Sequence, residues 1–298
     1  QANLDATKVI DLVENQRIII YDDAGNDRTS DCLVGAYYAK GISQGSLGVI
    51  FDRGIIVDDV NLTTRDFPDS YKGLIENGIA HLDKTLELIS EAPNLKFDFL
   101  TGITISREDL VKLINSFAAR ILSSVARDKE EAGALGDAYW ERVFSYASKG
   151  FTGDFLIPTV SGGYYNALVD VLERPYGGAS YVPVDIKIPY LADKNKSTPL
   201  TYPVNNTIIL PAIETDDERF YEYFTYTTNF GILLEARGRG LFSNYIRSRW
   251  MYPERSTLNV EGALNPYFLA EELRLLRAEA QLWLKNYSAA ANELNAVS

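Results

Sequence analysis

Histidine, cysteine and methionine each occur once in this chain of 298 residues. With His81 the sole imidazole and Cys32 the sole thiol, no Cys/His cluster can be assembled for a structural zinc, and no Ser-His-Asp triad can be built on any other histidine. A lone cysteine closes no internal disulfide, so cysteine usage says nothing about compartment. Long apolar runs are missing too: nothing approaches the roughly 18 residues that a bilayer-spanning helix needs. Positive charge is in deficit, with 29 Lys and Arg against 41 Asp and Glu and a net charge of −12. That balance argues against a nucleic-acid partner and against adsorption to anionic lipid, both of which select basic patches.

What is present is enough to fold. Apolar residues make up 46% of the chain and charged residues 23%, the balance of a globular protein with a proper core. Tyrosine is abundant at 19 residues, and its ring and hydroxyl suit packed helices and sugar-facing surfaces alike. No signal peptide precedes Gln1, and the chain opens and closes abruptly, so the sequence reads as an ordered portion of something longer.

Residues 265–298 organise the rest. Leu273, Leu276, Ala280, Trp283 and Leu284 recur at helical spacing. Lys285 and Asn286 interrupt the pattern, and a second short helix runs through Ala289, Ala290 and Leu294. Small residues at Ala278 and Ala290 would let the two helices approach closely. This describes a hairpin of the tetratricopeptide kind or an ordinary terminal helix pair. A hairpin cannot bury its own face, so partners must lie elsewhere in the chain.

Upstream, Leu4, Val9, Ile10, Leu12 and Val13 predict one helix. Ile18 to Tyr21 reads as a strand or a buried extended segment. Residues 29–51 predict a helix weakened by Gly35, Gly41, Gly45 and Gly48, a pattern that points to close approach of a neighbouring helix. Residues 52–66 read as a connecting loop. The next helix carries Ile75, Ile79, Leu82, Leu86 and Ile89 as a narrow seam with His81 beside it, and residues 93–105 read as a linker. Ser106 to Asp109 fits a capping box, opening a helix with Leu110, Leu113, Ile114, Phe117, Ile121 and Leu122. Residues 130–149 predict its partner, with Trp140 in the core and Gly150 ending it in the left-handed conformation. Three helix pairs result: 29–91, 106–150 and 267–298.

Between 151 and 265 helical periodicity fades. Pro158, Gly162, Gly163, Pro175, Pro183, Pro189, Pro199, Pro203 and Pro211 punctuate a segment too apolar and aromatic for disorder. Thr207 to Leu210 could be a strand piece. Loops held on a rigid scaffold are where binding surfaces usually sit.

In order along the chain, Ala36-Tyr37-Tyr38-Ala39-Lys40-Gly41, the helix 71–89, Asn115 to Leu122 (N-x-x-x-A-R-x-L), Tyr139 to Gly150, Asp216-Asp217-Glu218-Arg219-Phe220 with Tyr223-Phe224, and above all Leu273 to Leu294 resemble the SusD/RagB family, glycan-binding lipoproteins of the Bacteroidetes outer membrane. The family's signal peptide and lipidated cysteine are not visible, Cys32 has no lipobox before it, and the chain looks short for the family. The resemblance implies a mainly α fold: tetratricopeptide-like hairpins at 29–150 and 267–298 and an irregular, loop-rich capping region at 151–266 with minor β structure, together one domain over 1–298. It implies a non-catalytic protein with no cofactor, on the extracellular face of the outer membrane. The protein would bind oligosaccharide or polysaccharide and hand it to a SusC-like TonB-dependent transporter. Membrane attachment would come only through an N-terminal lipid anchor absent from this chain.

A sugar site of this sort needs aromatic platforms and convergent polar groups. Candidates are Tyr164, Tyr165, Tyr176, Tyr181 and Tyr190, and a second group of Tyr245, Arg247, Arg249, Trp250 and Tyr252. Trp250 is the strongest single candidate, although packing between layers outweighs ligand contact for each residue taken singly, and none carries over by motif. Asp216-Asp217-Glu218 could suggest a hydrolase acid pair, but a solvated acidic loop is favoured. The Gly-x-Gly within 234–241 lacks a P-loop lysine. Asp22-Asp23 and Asp58-Asp59 lack the spacing of a calcium loop, and no metal site is expected. Two rival functions stand beside glycan capture: a tetratricopeptide-type scaffold binding peptides or other proteins along its groove, and an α-helical glycoside hydrolase.

Overall fold

A computed structural model describes residues 1–58, 60, 69–92, 95–158, 183–199, 210–228, 242–247 and 264–297. In chain order the first elements are α1 (Ala2–Ile10), α2 (Thr29–Ile50), β1 (Arg53–Gly54), β2 (Asp69–Ser70), α3 (Tyr71–Glu91), β3 (Phe97–Leu100), β4 (Ile103–Ile105), α4 (Arg107–Ser123), α5 (Lys129–Ala134) and α6 (Asp137–Lys149). There follow β5 (Phe155–Pro158), β6 (Pro183–Asp185), α7 (Lys187–Ala192), α8 (Glu218–Tyr223), β7 (Phe224–Tyr226), β8 (Phe242–Arg247), β9 (Leu264–Phe268), α9 (Ala270–Trp283) and α10 (Tyr287–Asn295). The chain forms two compact units, Gln1–Phe155 with Tyr267–Ser298, and Leu156–Pro266. Helix dominates, and the sheets are small.

In the first unit the glycines of α2 do what their density implies. A methyl group placed on Gly78 of α3 would lie 2.5 Å from the Gly45 amide nitrogen and 2.9 Å from the Gly41 carbonyl oxygen, so the two backbones touch. Ser70 starts α3 by accepting the Gly73 N–H at 3.2 Å. Beyond it Ile75, Ile79, Leu82 and Ile89 are buried and Leu86 partly so, which is the seam read from spacing.

At α4, Ser106 accepts the Asp109 N–H at 3.0 Å, and its hydroxyl donates to the Asp109 carboxylate at 2.7 Å. The helix buries Leu110, Leu113, Ile114 and Leu122. Asn115, 2% exposed, donates Nδ2 to the Val111 carbonyl. Ala278 on α9 and Ala290 on α10 are both buried. Arg277 clasps Glu293 across that pair, Nε to Oε1 at 2.6 Å and Nη2 to Oε2 at 2.8 Å. Trp140 is core: its indole N–H donates to the Ala132 carbonyl at 3.0 Å, and its ring stacks on Trp283 at 5.7 Å.

Several expectations are corrected. Residues 130–149 are not one helix, because Gly136 at φ +78° separates α5 from α6. Gly150 ends α6 in an extended conformation, φ −78° and ψ −163°, not a left-handed one. Glycine is needed there for space: a Cβ would meet Ser116 Oγ at 2.6 Å and Leu273 Cδ1 at 2.7 Å. The supposed linker 93–105 contains the β3–β4 hairpin, turned by Gly102 at φ +77°. Two residues of the supposed loop after α2 pair with Asp69 and Ser70 as β1–β2. Ile18 and Ile19 belong to no strand and are about half exposed, and Tyr21 makes a single bridge to Asp27. Leu294, expected to pack, is 51% exposed.

The second unit contains an antiparallel sheet in the order β6-β8-β7. Phe224 faces Arg247, Thr225 faces Ile246 and Tyr226 faces Tyr245 in register. Val184, Ile213, Phe220 and Tyr245 form its core. Of the strand piece expected at 207–210, only Leu210 is described, and it is not in a strand.

Candidate functional site

Trp250, Tyr252, Arg249, Tyr164, Tyr165, Tyr176 and Tyr181 lie outside the described residues. Tyr190 is partly buried on α7, and Arg247 closes the register of β8 against Phe224.

Tyr245 is described, and it is a core residue. Only 5% exposed, its ring packs edge-on against Phe220 at 5.0 Å. Its hydroxyl accepts the Ile213 N–H at 2.8 Å. Burial pushes the phenol pKa up. A ring enclosed in this way holds the sheet to the segment before α8 and offers no face to a sugar. Strand alternation does not single it out, because Ser243, Asn244 and Ile246 beside it on β8 are buried as well; the packing of Phe220 on the ring and the bond to Ile213 enclose it.

Among the described residues of the second unit an aromatic side chain does stand open, and it is not one of the candidates read from the sequence. Tyr221 on α8 is 56% exposed. Its hydroxyl accepts the Thr215 N–H at 3.2 Å, which fixes the ring against the segment before the helix. Asp217 caps α8 by accepting the Arg219 N–H at 3.1 Å, and the Arg219 guanidinium grips the same carboxylate at 2.9 and 2.8 Å. Asp216 pairs with Lys194 at 3.5 Å, and Glu214 pairs with it at 3.4 Å. The acidic run therefore caps a helix and balances a lysine. The one signal for Tyr221 in the sequence was its place in Phe220-Tyr221, where helical spacing buries one ring and exposes the next.

The neighbouring loop is rigid for a chemical reason. The Asp193 carboxylate is fully buried and receives the amides of Asn195, Ser197 and Thr198 and the hydroxyls of Ser197 and Thr198, all between 2.7 and 3.0 Å. Burial alone would raise its pKa, but these bonds outweigh it and bring the value down to about 2. The Lys194 N–H then donates to the Glu214 carbonyl at 2.9 Å, tying this loop to the segment that holds Tyr221. An open aromatic ring beside fixed carboxylate, ammonium and amide groups (Glu214, Lys194 and Asn195) can take the C–H face of a sugar and bond its hydroxyls.

Of the other two acidic pairs, Asp22 and Asp58 are engaged, and Asp59 lies outside the described residues. Asp22 accepts the amides of Ala24 and Asn26 in a turn, and Asp58 lies 3.0 Å from Lys40. Among the described residues no group of three or more His, Cys, Asp or Glu side chains is placed to hold a metal. No described helix is long and apolar enough to cross a membrane.

No protein-family model matches the sequence, and no curated protein matches it. Among solved structures it is similar to a SusD-like protein from Bacteroides fragilis, with 12% identity and a TM-score of 0.59 over 99% of this chain and 65% of that one. A SusD/RagB family protein from Bacteroides thetaiotaomicron aligns with 16% identity and a TM-score of 0.48 over 98% of this chain and 56% of its own. A SusD superfamily protein from the same species gives 14% and 0.39, over 90% and 58%. The chain thus spans less than two thirds of the length of each of these structures. What the first alignment shares, at 12% identity, is architecture, and on that ground the protein has the SusD-like fold.

Proposed function

We propose that this protein is a member of the SusD/RagB family that captures oligosaccharide or polysaccharide at the cell surface without cleaving it and delivers it to a SusC-like TonB-dependent transporter. It would sit on the extracellular face of the outer membrane, held there by a lipid anchor. The observation that carries the reading is the alignment of 99% of the chain with a SusD-like protein. Tyr221 adds the chemistry: a half-open ring whose orientation is set by a hydrogen bond, beside polar groups fixed by the Asp193 loop. Such a site stacks and hydrogen-bonds its cargo and requires no proton transfer.

Native affinity electrophoresis against a panel of plant and microbial polysaccharides, with reducing-sugar release followed in parallel, tests it. Retardation without product, reduced in Tyr221→Ala, is the expected result. Release of reducing sugar would make the protein a hydrolase. Retention on a peptide array with no retardation by any polysaccharide would make it a peptide-binding scaffold.

A further inference from the structure

A cavity of about 560 Å³ opens among α3, α4 and α6 in the first unit. That volume lies in the range of small-molecule sites. Each helix presents one face to it. α6 brings Arg142, Tyr146 and Lys149, spaced four and three apart. α4 brings Arg107 from its first turn and Val111 from the next, and α3 brings Asp83, Leu86 and Ile89. Leu86, Ile89 and Val111 belong to the packed core, so the floor is aliphatic.

The charge of the lining runs against that of the chain. Three cations, Arg107, Arg142 and Lys149, face one carboxylate, Asp83, in a protein of net charge −12. Asp83 already accepts the Tyr146 hydroxyl, and Arg142 is paired with Glu76 at 3.0 Å. The other two cations have no carboxylate partner among the described residues. Arg107 donates Nε and Nη2 to the Ile89 carbonyl at 3.0 and 2.8 Å. This fixes the guanidinium plane and leaves Nη1 as a donor with no hydrogen-bond or ion-pair partner among the described residues. A guanidinium held in place loses little entropy when it binds an anion.

We propose that this cavity is a binding site for a small organic carboxylate with an apolar body, the carboxylate at the cationic rim of Arg107 and Lys149 and the body on Leu86, Ile89 and Val111. Excess positive charge that the fold leaves unpaired beside an aliphatic floor matches a ligand of opposite charge and apolar bulk. A neutral sugar would use the floor poorly, and a bare inorganic anion would not use it.

The test is titration of the whole chain with phenylacetate, phenylacetamide and glucuronate, followed by amide and methyl NMR shifts of Leu86, Val111 and Tyr146. Phenylacetate is expected to give saturable shifts there. Phenylacetamide, which lacks the charge, and glucuronate, which lacks the apolar body, should each bind about tenfold more weakly or worse, a difference of about 1.4 kcal/mol. Lys149→Gln should weaken phenylacetate to the same extent. Because Arg107 also holds the end of α3, Arg107→Gln is read only with circular dichroism confirming the native helix content. Equal binding of acid and amide, equal binding of glucuronate, affinity unchanged in both variants, or no saturable shift at millimolar phenylacetate would each overturn the proposal.

Discussion

Arg120 on α4 grips Glu272 on α9 with both ends of its fork, Nε to Oε1 at 2.5 Å and Nη2 to Oε2 at 2.6 Å, across 152 positions of sequence. Its guanidinium also lies 3.8 Å from the centre of the Phe268 ring and 5.1 Å from that of Phe117. One side chain thus joins the middle of the chain to its last hairpin by ion pairing and by contact with two aromatic faces.

Replacing it should therefore cost more than a surface pair does. Arg120→Ala is expected to destabilise the protein by about 2 kcal/mol, and Glu272→Ala by less, since the aromatic contacts survive the second change. Urea midpoints of the two single variants and the double variant measure the coupling. Strict additivity would show the pair to be incidental.

The contact of α2 with α3 makes opposite predictions for two glycines of one helix. Gly78→Ala puts a methyl group 2.5 Å from a backbone nitrogen and should destabilise by about 3 kcal/mol or more. Gly73→Ala, in the first turn with only Ser70 Oγ at 3.5 Å, should stabilise by about 0.5 kcal/mol through helix propensity. Thermal melts of both variants check the sign.

His81 gives the first unit a pH dependence. Burial, then the charge of Lys40, lower its pKa from 6.5 to about 4, and Asp58 opposes them weakly. The unfolded chain therefore takes up a proton that the folded one resists. Stability from this residue is complete above pH 6.5, falls between 6.5 and 4, and levels off below. The full span is about 3 kcal/mol. In urea titrations across that window, His81→Gln should flatten the slope. A slope unchanged in the variant would assign the acid sensitivity to other groups.

Two tyrosines of the second unit should separate binding from stability. Tyr221→Ala is expected to weaken polysaccharide retention several-fold while moving the melting temperature little, because the ring is exposed. Tyr245→Phe removes the acceptor of a buried N–H and should cost about 1–2 kcal/mol while leaving any sugar affinity intact. If Tyr245→Phe altered retention and Tyr221→Ala did not, the site would not be the Tyr221 ring.

The helical pairs were legible because their signals are local. Ile75, Ile79, Leu82 and Ile89 declare a buried stripe by spacing, Ser106 declares a helix start by chemistry, and the glycines of α2 declare a close crossing by their number. The β3–β4 hairpin was missed because Asn94 to Ile105 carries only short runs, which helical flanks on both sides made look like a connection. Gly136 was read through because a single glycine in a periodic stretch does not announce a positive φ. Among the described tyrosines of the second unit the difficulty is of a different kind. Tyr245 and Tyr221 are the same residue type in equally aromatic surroundings, and only the sheet pairing of one and the solvent-facing turn of the other tell them apart.

Sequence alone determined the long helices of the first unit, where several of them start, and that no cysteine or histidine cluster can form, since each depends on residues within a few positions of one another or on simple counts. The tertiary structure decided that Gly150 is needed for space and not for its backbone angle, that Arg120 pairs with Glu272, that Arg107 and Lys149 face a common cavity, and that Tyr245 is enclosed while Tyr221 is open. Those outcomes depend on which distant residue arrives beside each side chain, and burial and pairing exist only once the chain has brought the two together.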